Sequence, residues 1–174
     1  MGGPPTTAPG SGSGAVVDAA TLAEFAMTEL ALPTPAIEMN PDGEQVVQLP
    51  SWLWIDPGQW QPRRATASAG PVSSTVTADP VRVVWEMGTG DTVTCDGPGR
   101  PYRERFAETP EATDCKYTYR QSSAAQPDAA FAVTATIQWA ASWAGSDGSG
   151  GDLGVVTSTA TASVPVAELQ ALVQ

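Results

Sequence analysis

Four acidic residues, Glu86, Asp91, Asp96 and Asp114, gather in sequence around one turn and one pair of cysteines, Cys95 and Cys115, and six tryptophans are spread along the chain. Each set could do chemistry. Carboxylate oxygens can hold calcium, and two carboxylates across a cleft can hydrolyse a glycosidic bond. Two thiols can close a disulfide, and exposed indole rings can stack on sugars or on a partner protein. Histidine is absent, so Ser-His-Asp and Cys-His arrangements are excluded, and so are zinc sites built on imidazole. Two cysteines cannot supply a four-thiolate metal site. The single lysine, Lys116, follows Cys115 instead of a glycine, which removes the phosphate-cradling loop of nucleotide-binding proteins.

The acidic cluster lacks the spacing of an EF-hand loop. An excess of carboxylates is also what a solvated acidic surface looks like, and that reading is preferred to a calcium site. No catalytic residue, cofactor or metal ligand is assigned on the residues alone. A small hydrolytic enzyme built on a carboxylate pair stays as the least favoured alternative.

Cys95 and Cys115 flank a polar, turn-rich insertion that begins Asp96-Gly97-Pro98-Gly99-Arg100-Pro101-Tyr102. They read as one disulfide; the alternative is two buried thiols behaving as small apolar side chains. A bridge implies an oxidising, extracellular or cell-envelope location. Met1 to Thr7 has neither the basic nor the apolar region of a secretion leader, so that location implies a longer precursor, or else the bridge is absent. Met1-Gly2-Gly3-Pro4-Pro5-Thr6 fits an N-myristoylation pattern by chance only, because no basic cluster accompanies it. Asn40 precedes Pro41 and cannot be an N-glycosylation acceptor.

Among the tryptophans, Trp85 and Trp139 fall on the apolar phase of alternating segments and are expected in the core. Trp54, Trp60 and Trp143 are less determined. Together on one surface they would form a platform for a glycan or a protein partner; separately they are rim packing.

The elements that must position these residues follow from composition. The chain has 174 residues, 17 Gly and 16 Pro, which suits one domain of short strands and turns. Its net charge of −11 repels phosphate backbones and anionic lipid surfaces, so neither nucleic acid nor membrane is an expected partner. No apolar run approaches the length of a membrane span, so membrane insertion is not expected. Residues 1–14 are Gly, Pro, Ser and Thr and read as a flexible linker. Residues 15–34 hold one helix, predicted over 18–32, with Asp18 or Thr21 as N-cap, an apolar stripe of Leu22, Phe25, Ala26 and Leu30, and Pro33 and Pro35 as its stop.

Residues 35–174 read as a β-sandwich, with strands predicted over 45–55 (broken at Pro50), 72–78, 81–87, 92–95, 116–120, 130–143 and 155–166. Val81, Val83, Trp85 and Met87 share one predicted face, and Phe131, Val133, Ala135, Ile137 and Trp139 share another. The segment of Trp52 and Trp54 is apolar on both faces and reads as an edge strand between Pro50 and Pro57. Pro165 places the last strand at an edge.

Trp85-Glu86-Met87-Gly88-Thr89-Gly90 resembles the Trp-Asp-Phe-Gly-Asp-Gly signature of PKD-type domains. Tyr117-Thr118-Tyr119 and Phe131-Ala132-Val133-Thr134-Ala135-Thr136-Ile137 resemble their His-Thr-Tyr and Tyr-x-Val-x-Leu-x-Val. Glu86 and Thr89 replace the two signature aspartates. With Trp52-Leu53-Trp54-Ile55-Asp56-Pro57, the Cys95 to Tyr102 stretch, Asp114-Cys115 and the tail from Val166 to Val173, the pattern is similar to secreted actinobacterial proteins of unknown role. The resemblance implies an all-β, immunoglobulin-like (PKD-like) sandwich. The function it implies is a non-catalytic extracellular interaction or spacer module, with a carbohydrate-binding module as the alternative.

Overall fold

The computed structural model describes residues 16–104 and 113–169. The linker predicted over 1–14 lies outside them. Among these residues the architecture is all-β with one α-helix, α1 (Ala19–Glu29). Ten strands follow: β1 (Ile37–Asn40), β2 (Gln45–Val46), β3 (Pro50–Ile55), β4 (Arg63–Ala69), β5 (Val72–Glu86), β6 (Thr92–Cys95), β7 (Lys116–Thr118), β8 (Phe131–Gly145), β9 (Gly150–Val164) and β10 (Val166–Ala167). The large sheet runs β4-β5-β8-β9, with β6 taking over from β4 along the far half of β5. A smaller antiparallel sheet runs β1-β3-β7, and β2 and β10 form a short parallel pair.

The large sheet is long because β5, β8 and β9 each span 15 residues. Their inner face carries Val76, Ala78, Val83, Trp85 and Met87 from β5 and just beyond it, and Phe131, Val133, Ala135, Ile137, Trp139 and Ala141 from β8, all buried. Two covers divide that face. The small sheet lies over one half, adding Leu53 and Ile55 to the main core. Helix α1 lies over the other, where Ala23, Ala26 and Val76 form a second cluster with Ala65, Ala67 and Trp143. Met27, Leu30 and Leu153 touch both clusters and join them.

Segments 72–78 and 81–87, predicted as two strands, are one. The register against β8 shifts between Pro80 and Arg82, so one extra residue is absorbed and the strand turns its apolar phase back inward. That extra residue corrects the prediction for Val81, which is 43% exposed instead of buried beside Val83, Trp85 and Met87. A second irregularity, at Ala141/Ser142 opposite Gly154, lets β9 begin at Gly150, five residues before the predicted start. Gly154 has φ +80°, a conformation that favours glycine.

Helix α1 starts where Asp18 accepts the Thr21 amide at 2.7 Å, and this N-cap bond holds the Asp18 carboxyl below its ordinary pKa. The helix ends at Glu29, short of the predicted 32. Its buried residues are Ala19, Leu22, Ala23 and Ala26, and Phe25 is 58% exposed. The apolar stripe is therefore rotated from the predicted one. Alanines at 19, 23 and 26 let the helix backbone approach the sheet closely, and a phenyl ring in that seam would hold it off. Gln59 fastens the chain after the helix, donating to the Thr34 carbonyl at 2.8 Å and accepting from the Ala36 amide at 2.7 Å.

Strand β3 is central in the small sheet, between β1 and β7, and not an edge strand as predicted. Pro50 is tolerated because it is the first residue of the strand. The strand predicted last does run along an edge: among the described residues β9 pairs only with β8, and it stops before Pro165.

Trp85 is fully buried, and its indole N–H has no hydrogen-bond partner among the described residues. Trp139, also buried, donates from Nε1 to Ser158 Oγ at 3.0 Å. Truncating Trp85 to alanine opens a large cavity and should cost about 3–5 kcal/mol. Trp54 is only half-buried, so Trp54→Ala should cost less. Urea midpoints of the two variants check the order, and a Trp85→Ala midpoint near that of the wild type contradicts the assigned core.

Candidate functional site

The cysteine pair lies where the two sheets meet. Cys95 ends β6 of the large sheet and Cys115 immediately precedes β7 of the small one, and the two form a disulfide with Cα atoms 5.4 Å apart. The bond therefore ties sheet to sheet, and both residues are buried. The backbone around it continues the tie: the Leu53 amide donates to the Cys115 carbonyl at 3.0 Å and the Ile55 amide to the Pro98 carbonyl at 2.7 Å.

Gly99 bridges to Trp54 beside these bonds, at φ +81°. A Cβ there would collide with the Leu53 carbonyl oxygen, so only glycine lets the insertion lie this close to β3. Between the two legs of the insertion is an open cavity of about 340 Å³, lined by Thr94, Asp96, Arg100, Thr113 and Asp114 among others.

The four acidic residues do not converge. Asp96 and Asp114 line that cavity, Glu86 is exposed at the end of β5, and Asp91 belongs to the turn after it. Asp91 Oδ2 accepts from the Tyr117 hydroxyl at 2.6 Å, and Thr89 Oγ1 lies 2.8 Å from the same hydroxyl. Asp91 also closes the turn through its carbonyl, which accepts from the Met87 amide at 3.0 Å. Among the described residues no three His, Cys, Asp or Glu side chains are grouped to hold a metal ion.

Tyr117 begins an aromatic stair into the core. Its ring meets Tyr119 edge-on at 4.8 Å, and Tyr119 stacks on Phe131 at 5.4 Å. Burial, then the hydrogen bond to Asp91, raises the Tyr117 pKa; burial raises that of Tyr119 further.

The three tryptophans singled out by sequence stand apart. Trp60 packs against the main core, Trp143 against the cluster under α1, and Trp54 belongs to neither. Trp54 instead shares the outer face of the small sheet with Trp52, two residues before it. Trp52 is buried there and meets Tyr102 edge-on at 5.2 Å. Glu38 pairs across from Trp54, while Asn40 and Lys116 flank Trp52. The aromatic surface is thus Trp54 with Trp52 and Tyr102. The Trp52 and Trp54 spacing was a readable signal, whereas Tyr102 reaches Trp52 across some fifty positions of sequence.

Compared with known proteins, the chain matches no family model, no curated protein and no solved structure.

Two expectations follow from the tied sheets and the aromatic stair. Reduction of Cys95–Cys115, which are 20 positions apart, should remove about 3 kcal/mol and lower the melting temperature by on the order of 10 °C. Calorimetry with and without reductant measures this, and free alkylation of both thiols in the folded, unreduced protein contradicts the bridge. Tyr117 and Tyr119 keep their protons above the ordinary value of 10, whereas the unfolded chain loses them there. Folded protein then binds more protons, so stability is full below pH 10 and falls as pH rises past it. Urea midpoints taken from pH 8 upward should decline above about 10, and Tyr119→Phe should flatten the decline.

Proposed function

We propose that this chain is a non-catalytic interaction or spacer module acting outside the cytoplasm, its body an immunoglobulin-like sandwich of PKD type. One observation carries the spacer reading: the described chain arrives and leaves at opposite ends of the long sheet. At the start of α1, Ala19 lies against Gly145 at the β8-β9 turn, and its carbonyl accepts from Ser74 Oγ. At the other end, Val164 pairs with Phe131, and β10 leads out beside Ser123. Fourteen strand steps separate Phe131 from Gly145, which at a rise near 3.3 Å corresponds to about 45 Å.

The sheet-to-sheet disulfide supports an oxidising compartment, because such bonds persist there and not among cytosolic reductants. No helix among the described residues is long and apolar enough to cross a membrane.

A second reading, binding of extracellular glycan, is favoured by the outer face of the small sheet. There Trp54, half-buried beside the Trp52 and Tyr102 pair, has polar Glu38 opposite it. A partly exposed indole with a polar neighbour is the kind of surface on which a sugar ring stacks.

Spin labels at Val16→Cys and Leu169→Cys, both exposed positions, test the spacer geometry by pulsed electron resonance. A narrow distribution near 45 Å is expected; a short or broad one removes the observation on which the spacer reading stands. Retention on cell-wall glycan that disappears with Trp54→Ala would put the glycan reading first.

A further inference from the structure

The two long edges of the large sheet differ in how they are protected. Strand β4 is short and opens with Arg63 and Arg64, and charge on an edge strand discourages pairing with another chain. Strand β9 carries one charge, Asp152, near its start, but beyond it residues 153–167 contain no charged side chain, in a chain of net charge −11. Between the irregularity at Gly154 and the buried Val164 before Pro165, residues 155–163 run unbroken. Among the described residues they pair with β8 alone, so their other edge carries unpaired backbone donors and acceptors.

The side chains of this run match a second copy of themselves. On the outer face Val155, Thr157, Thr159, Thr161 and Ser163 are exposed, Val155 at 64%. Thr159 and Thr161 already form hydroxyl pairs with Thr136 and Thr134 of β8, at 3.0 and 2.9 Å. On the inner face Val156, Ser158, Ala160 and Ala162 are only partly covered.

We propose that β9 is a homodimerisation edge, pairing antiparallel with β9 of a second copy about a two-fold axis at Thr159. Thr159 is the midpoint of residues 155–163, so this register uses the whole unbroken run. Thr157 then faces Thr161 of the second copy, extending the threonine ladder by one strand pair. Val156 faces Ala162 and Ser158 faces Ala160, which completes the half-covered inner face. A two-fold axis makes the edge self-complementary, since each copy offers the same donors and acceptors in reverse order. The uncharged edge is the place where two strongly acidic copies can meet with least repulsion. A single strand pair is a small interface, so the dimer is of micromolar strength.

Sedimentation equilibrium of the whole chain through the micromolar range tests this. A monomer–dimer equilibrium is expected, tighter at high salt because screening reduces repulsion between the −11 copies. Thr157→Glu with Thr161→Glu puts like charges opposite each other twice across the axis and should weaken the dimer about tenfold or more. Thr157→Lys with Thr161→Glu puts opposite charges there and should restore it. Both positions are exposed, so the thermal melt of each variant shows that the fold is retained. A chain that stays monomeric at all concentrations and salts overturns the proposal. So does a double-glutamate variant that dimerises as tightly as the wild type, and failure of the opposite-charge variant to recover overturns the register.

Discussion

Strand β5 has to present apolar side chains to one side over its full length, because two separate covers depend on that face. A strand alternates sides at every residue, so a slip of one position would turn an entire stretch outward. Pro80 lies in the middle and cannot donate to a ladder. The register shift between Pro80 and Arg82 resolves both problems: the strand bends, one residue is left over, and Val83 resumes the phase of Ala78. Val81 is exposed as a direct result. Had the phase not been restored, either the small sheet would face Arg82 and Glu86, or α1 would face Thr75 and Thr77.

That same irregularity marks the border between the two cores. Beyond it, toward Trp85, the small sheet, with Tyr119 just after β7, lies over Phe131 and Ile137, and the disulfide fastens it to β6. Before it, the cover is a helix whose buried face is mostly alanine. Aromatic and branched side chains remove far more apolar surface from water than alanine does, so the first half is the better stabilised. Trp85 contributes there despite an indole N–H without a partner among the described residues, since the large area it buries outweighs one unmade hydrogen bond.

Much of this architecture was legible in the sequence, for identifiable reasons. Period-2 alternation from Phe131 to Trp139 located β8, and Thr92 to Cys95 was located without error because glycine and aspartate bound it on both sides. Asp18, one of two N-cap candidates, is the one that starts the helix, and the even cysteine count favoured the bridge over two free thiols. What escaped was decided by contacts distant in sequence. The helix stripe turned on how closely a backbone can approach a sheet, which Phe25 cannot announce. Strand β3 became central because β1 and β7, far apart in the chain, both pair with it. In the candidate site, Trp52 and Trp54 could be paired by their spacing, but Tyr102 reaches Trp52 only through the insertion that the disulfide and Gly99 hold against β3.

The unequal covers also determine how a load between the two chain ends would be carried. Force arriving at Ala19 enters through the alanine face of α1, whose seam is shallow and whose anchor to the following chain is the pair of hydrogen bonds from Gln59. Force leaving through β10 passes beside Ser123, whose hydroxyl accepts from the Val166 amide at 2.8 Å, and into the half of the body that the disulfide braces. Local opening begins where least apolar area is buried. The helix end therefore yields first, and the disulfide-tied sandwich keeps both its core and the aromatic face of β3 in place after α1 has moved.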